Sequence, residues 1–234
     1  MNIRFYIFFS LLLSITVFNY SFAHELNEKK INSLIKKYIV DNPKLIEDTL
    51  KKLNQDRSVK NFKSALNDLK KIPNPKLINK KANITIYEFF DYNCGYCKSV
   101  MNSVFNLHKK DKKINIVFVE YPILSKSSLT AAISSLAAQN QAKYFEFHAK
   151  LMSHTGKIDD ELIFSIAKEL KIDVEQLKKD YSNQKLMIII NKNREIASRL
   201  NIRGTPAFII GNTIYPGAMS EKDIEKAIEI ERKK

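Results

Sequence analysis

The two cysteines of this 234-residue chain, Cys94 and Cys97, both lie in the stretch "TIYEFFDYNCGYCKSVMN", Thr85 to Asn102. Thiols at this spacing have few chemical uses. Half of a zinc site is one, but zinc normally takes four ligands, and the remaining candidates are His24, His108, His148 and His154 with no second paired motif. A stabilising bridge is another, yet a pair this close closes almost no loop and so hardly constrains the unfolded chain. Inert core thiols are a third, and they need neither a glycine between them nor a helix start. A redox dithiol gives every position a use. Cys94 falls where a helix begins, and the unpaired N–H groups and positive dipole end there favour a thiolate over a thiol. Cys97, one turn inward, reaches the same sulfur while shielded, so it resolves the mixed disulfide that Cys94 forms. Gly95 keeps the approach open.

Glu88 is the next informative residue, six positions before Cys94 inside an apolar run. A charge there is costly without a partner or a task. Beside a dithiol, its carboxyl can accept the resolving thiol's proton through water; the alternative is a solvated place at a sheet edge. The third feature is "RGTPAFII", Arg203 to Ile210. Proline is tolerated at the first residue of a strand. A cis Thr205–Pro206 bond would present the Thr205 backbone to an incoming extended peptide, although trans is the commoner isomer.

These residues need a scaffold, and the pattern around them supplies one. "NITIYEFF" is rich in β-branched and aromatic residues, as in a strand covered on both faces. A helix is expected from about Gly95 to Lys110, with Val100, Met101, Val104 and Phe105 inward, and "KINIVFVEY" is a second buried strand. Strand, helix, strand is a βαβ unit with a parallel pair. From Lys126 to about Leu200 the pattern is helical, interrupted by "SHTGKIDD", "LKIDV" and "YSNQK". "GTPAFIIGNTIYPG" predicts two short strands turning at Gly211-Asn212, and an amphipathic helix covers Ser220 to Glu231. The fold class is α/β with a helical insertion.

Ahead of this core lies a helical arm. Ile31, Leu34, Ile35, Tyr38 and Ile39 share one face, "DNP" starts a second helix with Asn42 as cap and Pro43 at its first position, and Leu45, Ile46, Thr49, Leu50 and Leu53 continue the stripe. Val59, Phe62, Leu66 and Leu69 extend it. The prolines of "IPNPK", Ile72 to Lys76, mark the boundary, giving an arm of 24–72 and a domain of 76–234. Residues 1–23 carry a positive end at Arg4, an apolar core from Phe5 to Phe18 and the small-x-small site Ser21-Phe22-Ala23, which is the pattern of a cleaved secretory signal. The mature chain is therefore expected to be soluble in an exported compartment, where disulfide chemistry is permitted.

The formal charge of +14 raises the question of nucleic acid. The lysines, however, are scattered in pairs along helix faces, as in "EKKINSLIKKY", without an aromatic and basic stacking platform. Nucleic-acid binding is not expected.

Taken together, "EFFDYNCGYC", "YFEFHAKLM" and "IRGTPAFII" resemble the exported DsbA-like oxidoreductases, over roughly residues 83–234, and the arm with its "NP" break is similar to the ScsC-like branch. The resemblance implies a thioredoxin fold (core 83–122 and 202–234, helical insertion 126–200), a redox-active pair at Cys94 and Cys97, and a buried acid at Glu88. It also implies substrate contacts at Gly95, Tyr96, Thr205 and Pro206, with a cis-proline loop. Residues 24–72 would serve homo-oligomerisation. No metal or organic cofactor is implied; the implied partners are unfolded or partly folded exported proteins and a membrane protein that reoxidises or reduces the pair, in the periplasm. Two departures bear on direction. The best-known oxidases of the family carry Pro-His between the cysteines and valine before the cis-proline, whereas Gly95-Tyr96 and Thr205 are similar to the disulfide isomerases. A chaperone or oligomeric surface protein with incidental thiols is the non-enzymatic alternative.

Overall fold

The computed structural model describes residues 28–234. The signal-like segment 1–23 and His24 lie outside the described residues. Those that are described fall into two units, 28–60 and Asn61–Lys234.

The first unit holds a helix over 28–41 (α1) and the start of α2, Pro43–Lys71. Pro43 opens α2 as expected. The Asn42 side chain does not cap it: its amide turns back and donates to the Tyr38 carbonyl at 2.8 Å, which also accepts the Asn42 backbone N–H at 3.0 Å, so the residue closes α1 instead.

In the second unit the chain runs β1 (Lys76–Leu77), β2 (Ile84–Phe90), α3 (Gly95–Lys110) and β3 (Ile114–Glu120). Five helices follow: α4 (Lys126–Asn140), α5 (Tyr144–Ser153), α6 (Asp160–Glu169), α7 (Val174–Asp180) and α8 (Gln184–Arg199). The chain ends with β4 (Ala207–Ile210), β5 (Thr213–Pro216) and α9 (Glu221–Arg232). The strands form one sheet in the order β1-β3-β2-β4-β5. β2 and β3 are parallel and joined by α3, while the other pairings are antiparallel.

β2 and β3 are predominantly apolar on both sides because both faces of the sheet are covered. Ile86, Phe90, Ile116, Phe118, Phe208 and Ile210 face the larger core, with α3, α9 and the insertion. Tyr87, Phe89, Val119 and Ile209 face a smaller core closed by the ends of α2 and α8. The three punctuating segments of the insertion supply its caps: Asp159, Asp173 and Asn183 each accept a backbone N–H of the helix that follows. At the β4–β5 turn Gly211 has φ +59°, and a Cβ there would collide with the Glu231 carboxylate. That carboxylate also accepts from Asn212 N and Thr213 Oγ1, so the glycine lets α9 tie down the hairpin.

The division between arm and domain differs from the sequence-based boundary. The prolines do end α2, but Ala65, Leu66 and Leu69 are buried on the sheet, so residues 61–71 belong to the second unit. The two-residue strand β1 was not expected either; it pairs Lys76 and Leu77 with Val117 and Ile116.

Candidate active site

Cys94 is the N-cap of α3 (φ −82°, ψ 113°), and its Sγ accepts from Cys97 N at 3.4 Å. Its own N–H donates to the Asp91 carbonyl at 3.1 Å, which fixes the turn between β2 and α3. Both cysteines are free thiols. Cys94 retains 6 % exposure and Cys97 none, so only the first can meet another molecule's sulfur. Burial pushes the Cys97 thiol far up; the nearby Cys94 sulfur adds to this, against an opposing pull from the Asp91 backbone and the Thr205 hydroxyl. Gly95 has open space where a Cβ would stand, and Tyr96 is exposed.

The second strand pair brings the other half of the site. β4 lies antiparallel to β2 with Phe89 opposite Ala207. This register sets Pro206 beside the end of β2, from which the chain continues to Cys94. The Thr205–Pro206 peptide bond is cis. Cys94 Sγ donates to the Thr205 carbonyl at 3.2 Å, across 111 residues of sequence. The thiol and the backbone acceptor are thus in direct contact.

Glu88 sits mid-strand in β2, between Phe118 and Phe208, on the same side as Ile86 and Phe90 and so toward the core that contains Cys97. At 2 % exposure, with strands on both sides, it is not a solvated edge residue. Burial raises its carboxyl to about 8.

Sequence reasoning did not single out several residues near this site. Asp91 is buried, and its carboxylate accepts from Asn93 N at 2.8 Å, Ile123 N at 2.8 Å and Leu124 N at 3.0 Å. Asn93 Nδ2 donates to the hydroxyls of Ser125, Ser127 and Ser128 at the start of α4. Deeper lies a polar cluster. Glu120 Oε1 accepts from Tyr92 OH at 3.0 Å and Tyr144 OH at 2.8 Å, and Tyr92 OH meets His148 Nδ1 at 3.0 Å. A tyrosine hydroxyl has one proton; once it is given to Glu120, His148 must donate from a neutral ring with Nδ1 protonated. Burial accordingly depresses His148 to about 3 and holds Glu120 well above the usual carboxylate range, despite the two hydroxyls that oppose the rise. The available signals were an acid ending an apolar strand and the "YFEFH" run.

The thioredoxin family model matches residues 76–230. The chain belongs to the thioredoxin family. It is 26% identical to disulfide bond formation protein D of Bacillus subtilis over 171 residues, 68% of this chain and 77% of that one. Among solved structures it is similar to a thioredoxin-like oxidoreductase from Silicibacter pomeroyi (34% identity, TM-score 0.68, 71% of this chain and 96% of that one). It is also similar to the thiol-disulfide exchange protein alpha-DsbA2 from Wolbachia pipientis (29% identity, TM-score 0.69, 76% and 97%). This member of the thioredoxin family is a DsbA-like protein-disulfide oxidoreductase. Among the described residues no helix is long and apolar enough to cross a membrane.

Proposed function

We propose that this oxidoreductase acts in the periplasm on exported proteins, with Cys94 as the exchanging sulfur and Cys97 as the resolving one. The observation that carries the assignment is the contact of Cys94 Sγ with the Thr205 carbonyl, beside a fully buried Cys97. In the oxidised enzyme a client thiolate attacks Cys94 Sγ, the Cys94–Cys97 bond breaks, and its electron pair goes to Cys97. The client's second thiolate then attacks its own mixed-disulfide sulfur and expels Cys94. Two electrons and two protons have passed to the enzyme, and the client holds a new disulfide. Once Cys94 carries no proton, the Thr205 carbonyl loses its donor and is free to accept an N–H from the client's extended backbone. Gly95 leaves room for that chain, and Tyr96 and Pro206 border it.

Burial raises both Cys97 and Glu88, so both favour their neutral forms. Glu88 is therefore the group to exchange a proton with Cys97 through water as that sulfur leaves or attacks. Reoxidation requires a membrane partner that withdraws the two electrons; a partner that supplies them makes the same pair an isomerase or reductase, in which reduced Cys94 attacks a wrong client disulfide. Gly95-Tyr96 and Thr205 favour isomerisation, as does the apolar stripe of the arm, since several sites around one shared space suit reshuffling. We assign homo-oligomerisation to the arm, 24–72 by sequence, with its exposed part, 28–60, as the contact surface.

The test is trapping. Cys97→Ser should accumulate mixed disulfides between Cys94 and clients, and Cys94→Ser should abolish turnover, read on non-reducing gels and by refolding of a reduced substrate. Trapping through Cys97 in the Cys94→Ser protein would overturn the assignment, and absence of any cycling would leave the chaperone or surface-protein alternative. The in-cell redox state of the pair reads the direction, mostly oxidised for an oxidase and mostly reduced for an isomerase.

A further inference from the structure

Among the described residues of the second unit, Ile123 and Leu124 are the only consecutive large apolar residues left exposed, at 39 % and 54 %. They lie on the loop between β3 and α4, and their backbone is held at successive residues. Tyr121 N donates to the Phe90 carbonyl at 3.0 Å. Arg194 donates to the Pro122 carbonyl at 2.7 Å. Ile123 N and Leu124 N both donate to one oxygen of Asp91. Here the backbone is fixed and the side chains face water, which is the arrangement of a surface organised before it meets its partner.

Asp91 connects this lip to the chemistry. Its carbonyl accepts the Cys94 N–H and its carboxylate accepts the two lip N–H groups, so a single buried residue sets the attacking cysteine and the lip in one frame. We propose that Ile123 and Leu124 form a specificity subsite for an extended segment of the substrate protein that carries an aliphatic or aromatic side chain within a few residues of its reacting cysteine, and that Asp91 is the residue that positions this subsite. This rests on the assignment of Cys94 as the exchanging sulfur. A substrate sulfur must approach Cys94 to react, and the chain on either side of it then runs past whatever the Asp91 frame holds beside it. Unfolded chains are the class of partner that offers apolar side chains next to cysteines, because folding buries both.

The experiment uses full-length protein, oxidised, and two synthetic dithiol peptides that differ only in whether leucine and phenylalanine or serine residues flank the cysteines. Each oxidation rate is divided by the same protein's rate with dithiothreitol, and the quantity read is the ratio of apolar to polar peptide. Burying part of one aliphatic side chain supports a preference of roughly tenfold for the apolar peptide in the unaltered protein. The pair Ile123→Ser and Leu124→Ser should bring the ratio close to one, whereas Ile123→Leu with Leu124→Ile should retain it. Asp91→Asn puts a donor against N–H donors and should lower the ratio with the lip side chains intact; if that protein does not fold, the exposed pair decides alone. An unaltered protein with no preference, or a serine pair that keeps it, overturns the subsite. Failure of the unaltered protein to react with dithiothreitol overturns the exchange assignment as well.

Discussion

In residues 28–60 the large apolar side chains stand in water: Leu34 is 58 % exposed, Tyr38 59 % and Leu50 52 %. In residues 61–234 the reverse extreme occurs, with the carboxyls of Glu88 and Glu120 withdrawn to 2 % and 0 % exposure. Helix α2 belongs to both, and along it Leu53 is 41 % exposed whereas Leu69 is 1 %. A region that exposes its leucines gains little by folding alone, and on the proposed reading a second copy covers them. A region that buries acids must already hold enough packed apolar surface to offset their desolvation. The second unit has that surface on both faces of its sheet, and this lets it keep ionisable groups in the same unit as a dithiol. On the proposed reading the arm serves association and the second unit chemistry.

The sharpest way to break this contrast is to cut between the two. Deleting residues 24–60 should leave a folded monomer that keeps dithiol exchange and loses most isomerase activity, measured by light-scattering mass and by refolding of a scrambled-disulfide substrate. The cut belongs at residue 60 and not at the proline boundary, because removal through Ile72 strips Ala65, Leu66 and Leu69 from the smaller core. A truncated protein that stays oligomeric, or that unscrambles at the full-length rate, removes the arm's proposed role.

The buried acids sharpen the other side. Glu88 is raised from 4.5 to about 8, so below pH 4.5 it is neutral folded and unfolded alike. Between these values the unfolded chain loses the proton and the folded one keeps it. Stability should therefore fall as pH rises through this window and level off above about 8. Glu88→Gln does not ionise, and its stability advantage over the parent should grow across the same window, to at most about 5 kcal/mol from the size of the shift. His148 acts oppositely, costing stability as pH falls from 6.5 toward 3, but it is common to both proteins and cancels in the difference. Urea melts at pH 5 and pH 8 check the sign, and a flat difference means that Glu88 is not held neutral. If Glu88 serves Cys97, the same variant slows resolution of the mixed disulfide.

The features legible in the sequence were those decided locally. β2 and β3 are apolar at consecutive positions, α3 begins where the cysteine motif does, and the caps of α6, α7 and α8 lie in the polar segments between helical runs. The periodicity of α2 runs unbroken through Phe62, Leu66 and Leu69, because period tells which face is apolar and not what covers it. Hence the period does not show the division of contacts at residue 60. The partners of Asp91 and Glu120 are set by the packing of distant segments: Tyr144 is 24 residues from Glu120, and Ile123 is 32 from Asp91. Two residues of β1 are too few to show any alternation. The Cys94–Thr205 contact spans 111 residues, and its motifs indicated the pairing through resemblance more than through any local signal.

The smallest test compares one substitution at two points of the same helix. Leu69→Ala removes a side chain that is 1 % exposed against the sheet and should cost about 2–4 kcal/mol, as a core truncation does when its cavity cannot collapse. Leu50→Ala removes one that is 52 % exposed and should change the unfolding of the second unit by less than about 0.5 kcal/mol. Its effect should appear in association, as a rise in the concentration at which light-scattering mass falls to that of the monomer. Chemical denaturation of each variant, with mass measured over a dilution series, separates the two effects. If Leu50→Ala destabilises the second unit as much as Leu69→Ala does, the arm packs on its own catalytic partner, and the division of labour along α2 fails. If Leu69→Ala instead weakens association without loss of stability, the buried end of the helix belongs to the assembly surface, and the boundary lies nearer the prolines after all.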